Sequence, residues 1–262
     1  MNNFEFVKPS TVEEASAALQ SEGAQALGGG QTLLPTMKQR LASPETLVSL
    51  TGVEGMVGVS ASDGTVTVGG TTTHAQVAAE AASAYPALAA LAGQIGDPAV
   101  RNRGTIGGSL ANNDPAACYP SAALGSGASI STNKRNIAAD DYFQGMFETA
   151  LEEDEIITSV SFPVPEAASY QKFLQPASRF ALTGVFVAKF PGGVRVAVTG
   201  ASNNGVFRWT EAEEALSKEF RADALMDLRI NHLNMISDLH GSQEYRAHLV
   251  GVMTRRAVES AS

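Results

Sequence analysis

Two glycine-rich loops are the residues of this sequence best suited to chemistry. Gly28-Gly29-Gly30-Gln31-Thr32 follows the apolar run Ala24–Leu27, and Gly104-Thr105-Ile106-Gly107-Gly108-Ser109 follows Arg101-Asn102-Arg103 much further along the chain. Backbone amides with no side chain in the way can converge on an anion, and the diphosphate of a dinucleotide is the usual ligand of such a loop. The same glycines also fit tight turns at positive φ, where glycine alone is unstrained. Both readings stay open on composition alone. Neither loop is a Rossmann fingerprint, since Leu33 stands where the third glycine would be needed, and no Gly-Lys-Ser/Thr triplet marks a P-loop.

Other chemistry has less to stand on. Thr199-Gly200-Ala201-Ser202-Asn203-Asn204-Gly205 imitates the nucleotide loop of short-chain dehydrogenases, but that fold needs it near its start, and here only helix-like sequence follows. Cys118, in Asp114-Pro115-Ala116-Ala117-Cys118-Tyr119-Pro120, has no histidine nearby in sequence to make it a nucleophile. His74 reads as a helix-start or surface residue. His232, His240 and His248 read as surface or packing residues, with no acidic cluster to complete a metal site.

The composition narrows the classes. Of 262 residues, 44% are hydrophobic and 17% charged, a globular balance. Lysine and arginine number 18 against 27 acidic residues, a net charge of −9, so no nucleic-acid partner is expected, and an anionic ligand needs local donors. One cysteine cannot close a disulfide, hold an iron–sulfur cluster or fill a zinc site. The start lacks a basic and apolar leader, and no apolar run reaches membrane-spanning length, which predicts a soluble, cytoplasmic protein.

The elements that must position the loops alternate at first. Phe4–Val7 reads as a strand, Ser10 and Glu13 as a capping box, and a helix follows to about Leu19. Ala24–Leu27 reads as a buried strand running into the first loop, followed by a helix over Leu33–Leu41 and a strand over Thr46–Leu50. This βαβ-like block puts a glycine loop at the carboxyl end of a strand, where open α/β sheets place ligands. Asp63-Gly64 joins a hairpin of Val57–Ser60 and Thr65–Val68, and Ala75–Leu91 is helical with a break at Pro86. Ala128–Ser131 and Ile156–Phe162 read as strands, the second preceded by a solvated acidic turn, Glu152–Glu155. Pro163-Val164-Pro165 marks a domain boundary. Beyond it come a hairpin of Gly184–Phe190 and Val194–Gly200, a capping box of Thr210 and Glu213, and a helical remainder. In that tail Tyr245, Leu249, Val252 and Met253 share a core-facing stripe, and Arg255 and Arg256 suit the last turn.

Ala26-Leu27-Gly28-Gly29-Gly30-Gln31-Thr32-Leu33-Leu34-Pro35 resembles the first flavin loop of the FAD-binding medium subunits of aerobic carbon monoxide dehydrogenase and its xanthine dehydrogenase relatives, the molybdenum hydroxylases. Arg101–Ser109 resembles the second flavin loop. Gly145–Leu151, Asp154–Ile157, Pro176–Arg179 and Tyr245–Leu249 also match, so the likeness spans nearly the whole chain. It implies an α+β fold: a vanillyl-alcohol-oxidase-like FAD-binding domain over 1–165, with subdomains of about 1–55 and 56–165, then a small C-terminal domain of antiparallel sheet and helices over 166–262. It implies FAD held by Gly28, Gly29, Gly30, Gln31 and Thr32 and by Thr105, Ile106, Gly107, Gly108 and Ser109, through main-chain donors and the hydroxyls of Thr32, Thr105 and Ser109. Ile157 matches a position packed near the flavin ring. The ring-contacting lysine of xanthine oxidase relatives has no match, because Gln175 precedes Pro176-Ala177-Ser178-Arg179 here. Where many relatives read D-P-A-[AS]-D, this chain has Asp114 to Cys118, which puts a buried thiol at the place of a cofactor-facing aspartate, with Asp114, Asn112 or Asn113 as substitutes.

The resemblance thus implies an electron-transfer subunit with no catalytic residue of its own and no metal. FAD would be its cofactor, with molybdenum–pterin and iron–sulfur clusters on a large and a small partner subunit, and an external electron acceptor. The cysteine count agrees, since a chain that cannot hold a cluster must borrow one. A self-contained flavin oxidoreductase and a non-enzymatic nucleotide-binding scaffold stay open as alternatives; the first would need a substrate pocket and proton donor on this chain.

Overall fold

The computed structural model describes residues 1–261. The chain opens with β1 (Glu5–Val7), α1 (Val12–Leu19), β2 (Ala24–Leu27), α2 (Leu33–Lys38) and β3 (Thr46–Ser49), and its three strands form a parallel sheet in the order β1-β3-β2. The capping box that starts α1 lies one residue later than the sequence suggested: Thr11 accepts from the Glu14 amide, and the Glu14 carboxylate accepts from Ser10 and Thr11. β3 is central and buried, whereas β2 is a sheet edge and half-exposed rather than buried, because one flank of it opens on a cavity. α2 ends at Lys38, short of Leu41.

The next stretch holds β4 (Val59–Ser62), β5 (Thr65–Gly69), α3 (His74–Glu80), α4 (Pro86–Gly93), α5 (Pro98–Arg101), α6 (Ile106–Asn112), α7 (Tyr119–Ser126), β6 (Ser129–Thr132), β7 (Asn136–Ala138), α8 (Ala139–Tyr142), the short pair β8 (Phe143–Gly145) and β9 (Glu148–Thr149), and β10 (Ile157–Pro163). Its five-stranded antiparallel sheet runs β4-β5-β10-β6-β7. Pro86 ends the helical break and starts α4, whose alanines and leucines are buried on nearly all sides. The acidic turn before β10 is not wholly solvated. The Glu155 carboxylate is buried and accepts from Arg135, from the Thr132 hydroxyl and from the Glu152 amide, while Lys134 pairs with Glu152 and Asp154.

The chain then forms β11 (Ala167–Leu174), β12 (Ala181–Phe190), β13 (Gly193–Thr199), β14 (Phe207–Arg208), α9 (Thr210–Lys218) and α10 (Gln243–Ser260), with an antiparallel sheet in sequence order. β12 is buried on both faces. Phe186 and Ala188 join the core under α4 and α7, and Val185 and Val187 join a second core with Trp209, Leu216, Val250 and Met253. One core therefore runs from the five-stranded sheet into this last one.

Four local expectations fail here. Thr210 and Glu213 make no capping box, because Glu213 turns inward to accept from the Val196 amide and from Arg208. Between Glu219 and Ser242 the chain is irregular apart from a 3-10 turn at Ala222–Leu225. Arg255 and Arg256 stand before the last turn of α10, and Tyr245 is largely exposed, while Arg246 takes the buried position beside it. The mixed α+β architecture agrees with the expectation, and no helix among the described residues is long and apolar enough to cross a membrane.

Candidate functional site

The two glycine loops, distant in sequence, touch. The first leaves the carboxyl end of β2, and the second leads into α6. A Cβ on Gly29 would fall on the Arg103 carbonyl and against the Gly104 Cα, and one on Gly28 would meet the Thr105 hydroxyl at 2.9 Å. Glycine at these positions therefore lets backbone pack on backbone. Gly30 needs its glycine for a second reason, a left-handed φ of 70°.

Their hydrogen bonding differs. Among the described residues, none of the five amides from Gly28 to Thr32 donates a hydrogen bond within the protein. In the second loop the Ile106 amide donates to the Thr72 carbonyl (3.1 Å), Gly107 to Gly70 (2.8 Å), Gly108 to the Thr105 hydroxyl (3.1 Å) and Ser109 to the Thr105 carbonyl (3.0 Å). Gly28, Gly29 and Gly30 are half-buried and Gln31 and Thr32 exposed, so the five free amides are open to a ligand, whereas the satisfied set marks a strut. Gly107 and Gly108 have helical rather than positive φ, and a Cβ on Gly107 would meet the Gly70 carbonyl at 2.5 Å. Its glycine is required by the fold before any ligand arrives.

A cavity of about 720 Å³ opens beside the loops. Its wall includes Gly28, Gly29, Gly30, Gln31, Thr32, Thr105, Gly107, Gly108, Ser109, Asp114, Cys118 and Ile157. Ile106 is the exception: its side chain is fully buried in the core under α6, because the helix turns it away from the cavity. Among the described residues the hydroxyls of Thr32 and Ser109 make no hydrogen bond, whereas that of Thr105 caps α6. One end of the cavity is apolar, with Leu27, Leu50, Met56 and Ile156. The other holds Ile95, Cys118, Lys172 and Phe180.

Residues outside the loops hold that second end in shape. Asp114 accepts from the Ala116 amide (2.8 Å), and the carbonyls of Pro115 and Ala117 are held by Thr199 and Gly200 of the last sheet. Arg246, buried under that sheet, donates to the carbonyls of Leu182 and Gly200 and pairs with Asp238. Asn113, left-handed at φ 42°, does not face the cavity but donates to the carbonyls of Gly145 and Glu148 (both 2.8 Å), fixing the hairpin that carries Phe147 to the rim. Cys118 is buried, and the Lys172 ammonium donates to its sulfur (3.6 Å) and to the carbonyls of Gln94 (2.8 Å) and Arg179 (2.9 Å). A lysine thus reaches this cavity from β11, three residues before Gln175. Its register on the strand, invisible to a motif match, puts it there.

The electrostatics follow burial. His74, the first residue of α3, is 4% exposed rather than on the surface. Burial, helped by the charge of Arg101, pulls its pKa down to about 4, so the imidazole is uncharged at neutral pH. Arg135 beside Glu155 holds that carboxyl down to about 2. Sequence reading missed Lys172, Arg246 and the burial of His74; only the alternation along β11 hinted that Lys172 and Tyr170 share a face.

Residues 2–165 match the family described as the FAD binding domain in molybdopterin dehydrogenase. The chain is 35% identical to the nicotine 6-hydroxylase medium subunit of Paenarthrobacter nicotinovorans, over 98% of this chain and 96% of that one. It is 32% identical to the carbon monoxide dehydrogenase medium chain of Afipia carboxidovorans, over 99% and 96%. Among solved structures, a chain of reconstituted CO dehydrogenase from Oligotropha carboxidovorans superposes with a TM-score of 0.90 at 32% identity, covering 98% of this chain and 97% of that chain. Quinoline 2-oxidoreductase from Pseudomonas putida gives 0.86 at 27%, covering 98% and 96%. With the loops, the cavity and these likenesses together, the chain belongs to the family of FAD-binding medium subunits of the molybdenum hydroxylases.

Proposed function

We propose that the chain carries FAD between its two loops and relays electrons in a three-subunit hydroxylase. Electrons enter from iron–sulfur clusters on a small partner subunit, reduced in turn at the molybdenum–pterin of a large one, and leave to an external acceptor in the cytoplasm or at the inner face of the membrane. The observation that carries the reading is the row of unpaired amides, Gly28 to Thr32, along a cavity within the size range of cofactor sites. A chain of net charge −9 can bind a dianionic diphosphate only through such local donors.

The residues present fit the cofactor. The amides of Gly28–Thr32 would hold the diphosphate, and the hydroxyls of Thr32 and Ser109 would add donors at its flanks. Leu27, Leu50, Met56 and Ile156 exclude water at one end of the cavity. At the other end the Lys172 ammonium, with two carbonyls and the Cys118 sulfur as acceptors, supplies a fixed positive charge in place of the lysine missing at position 175. When bound, FAD supplies the ability to take electrons singly and release them singly or in pairs. This chain contributes binding, orientation and charge. Residues 1–165 form the FAD-binding unit in this reading, and 166–261 brace it through Thr199, Gly200 and Arg246. The whole assembly is a pair of such trimers.

The test is direct. The purified chain should hold one FAD, released by acid precipitation because neither loop contains a histidine or cysteine to anchor it covalently. Mixed with a reduced cluster-bearing small subunit, the flavin should bleach in stopped-flow absorbance. A chain without flavin, or a bound flavin the partner cannot reduce, would overturn the proposal.

A further inference from the structure

We infer that His74 is a hydrogen-bond donor to the bound cofactor through Nε2, with the fold holding its ring in a single tautomer; this rests on the cavity being an FAD site. The ring's position is over-determined. Thr73 caps α3, its hydroxyl accepting from the Gln76 amide while its own amide and hydroxyl donate to the Gln76 side chain. The His74 amide donates to the Gly104 carbonyl (2.9 Å), and the ring packs on Tyr119 with centroids 5.3 Å apart.

The two ring nitrogens have different surroundings. Nδ1 is completely buried with no hydrogen-bond partner, so a proton there would be a buried donor without an acceptor. Nε2 makes no internal hydrogen bond either, but it is not among the buried, unpartnered atoms; it lies against Gly104, where a Cβ would meet it at 2.5 Å, and both residues line the cavity. Glycine at 104 is what admits the imidazole. Without a proton Nδ1 is an unpaired acceptor, a smaller cost than an orphaned N–H, which favours the proton on Nε2, beside the cavity. Behind this wall lie Tyr119 and Tyr170, both buried. Of the four buried side-chain polar atoms without a partner among the described residues, three belong to His74, Tyr119 and Tyr170, grouped around Cys118. With the amides of Ile106, Gly107, Gly108 and Ser109 spent within the fold, His74 adds a side-chain donor on this side of the cavity.

Calorimetric titration of FAD into FAD-free protein tests the inference. His74→Phe keeps the ring volume and the contact with Tyr119 but removes the donor, and should weaken FAD binding about tenfold, the size of one buried hydrogen bond. His74→Gln, whose amide nitrogen can stand near the Nε2 position, should recover most of the loss. Nitrogen-15 NMR of the wild-type protein, which needs no variant to fold, should find the His74 proton on Nε2 and move that resonance when FAD is added. Titrations with ADP and with riboflavin locate the acceptor: a loss in His74→Phe that follows ADP places it on the diphosphate half, and one that follows riboflavin on the flavin half. Unchanged FAD affinity in His74→Phe, or a proton on Nδ1 in the loaded protein, overturns the inference. Failure of the wild-type chain to bind FAD at all would instead sink the proposed function.

Discussion

The two glycine loops look alike in sequence and do different work. The first, Gly28–Thr32, leaves five consecutive amides without an acceptor among the described residues; the second uses the four from Ile106 to Ser109 to tie α6 to Gly70, Thr72 and Thr105. A glycine cluster therefore reports only that backbone must come close to something. In both loops that something includes the protein's own chain, Arg103 and Gly104 against Gly29 and Gly70 against Gly107, and only the first loop leaves its row of amides free as well.

The largest effect should come from the point where the loops meet. Gly29→Ala would place a methyl group on the Arg103 carbonyl, forcing the loops apart, and should abolish flavin content in the purified protein. Retained flavin would show that the loops can separate without losing the cradle. Within the second loop, Gly107→Ala would meet the Gly70 carbonyl at 2.5 Å and should cost about 2–3 kcal/mol of stability in urea unfolding. Gly108→Ala meets only the Thr105 hydroxyl, at 2.9 Å, and should cost under about 1 kcal/mol. Equal losses in the two variants would contradict a strut role for Gly107.

His74 gives the comparison a pH axis. Its native pKa of about 4 lies below the unfolded value of 6.5, so the unfolded chain binds the proton more readily. Its contribution is complete above pH 6.5 and is lost as pH falls toward 4, by about 3 kcal/mol at 1.36 kcal/mol per pKa unit. Arg101, whose charge opposes protonation, and Tyr119, whose ring packs on it, are the neighbours that set this environment. Unfolding free energies of the wild type and of His74→Phe between pH 7 and 4.5 check it: the variant should lose less stability over that range, and parallel curves would refute the assignment. The smallest effect belongs to Cys118→Ser. A hydroxyl can accept from Lys172 as the sulfur does, so flavin content and flavin reduction should stay within about twofold of wild type, the loss of part of one hydrogen bond. Loss of electron transfer with flavin retained would make the thiol a redox group.

Much of this molecule could be read from local chemistry. Asp63-Gly64 made its hairpin turn, Pro86 started α4, and the pattern of β10 and β13 was plain, because turn and cap preferences depend on a few neighbouring residues. The errors were of another kind. Thr210 and Glu213 had the spacing of a cap, yet Glu213 was taken by Val196 and Arg208. Ile106 sat inside a flavin-loop motif, yet its side chain belongs to the core.

The residue types and order alone singled out the two glycine loops as candidate donors, left one cysteine where a cluster needs several, and carried a likeness that ran nearly end to end. Tertiary structure alone decided which loop keeps its amides free, that Lys172 and His74 reach the cavity wall, and that Arg246 braces it from the last sheet. The reason is the reach of the interactions. A turn or cap is satisfied within four residues, whereas whether an amide or an imidazole nitrogen finds a partner depends on strands and helices that the chain brings back from far away.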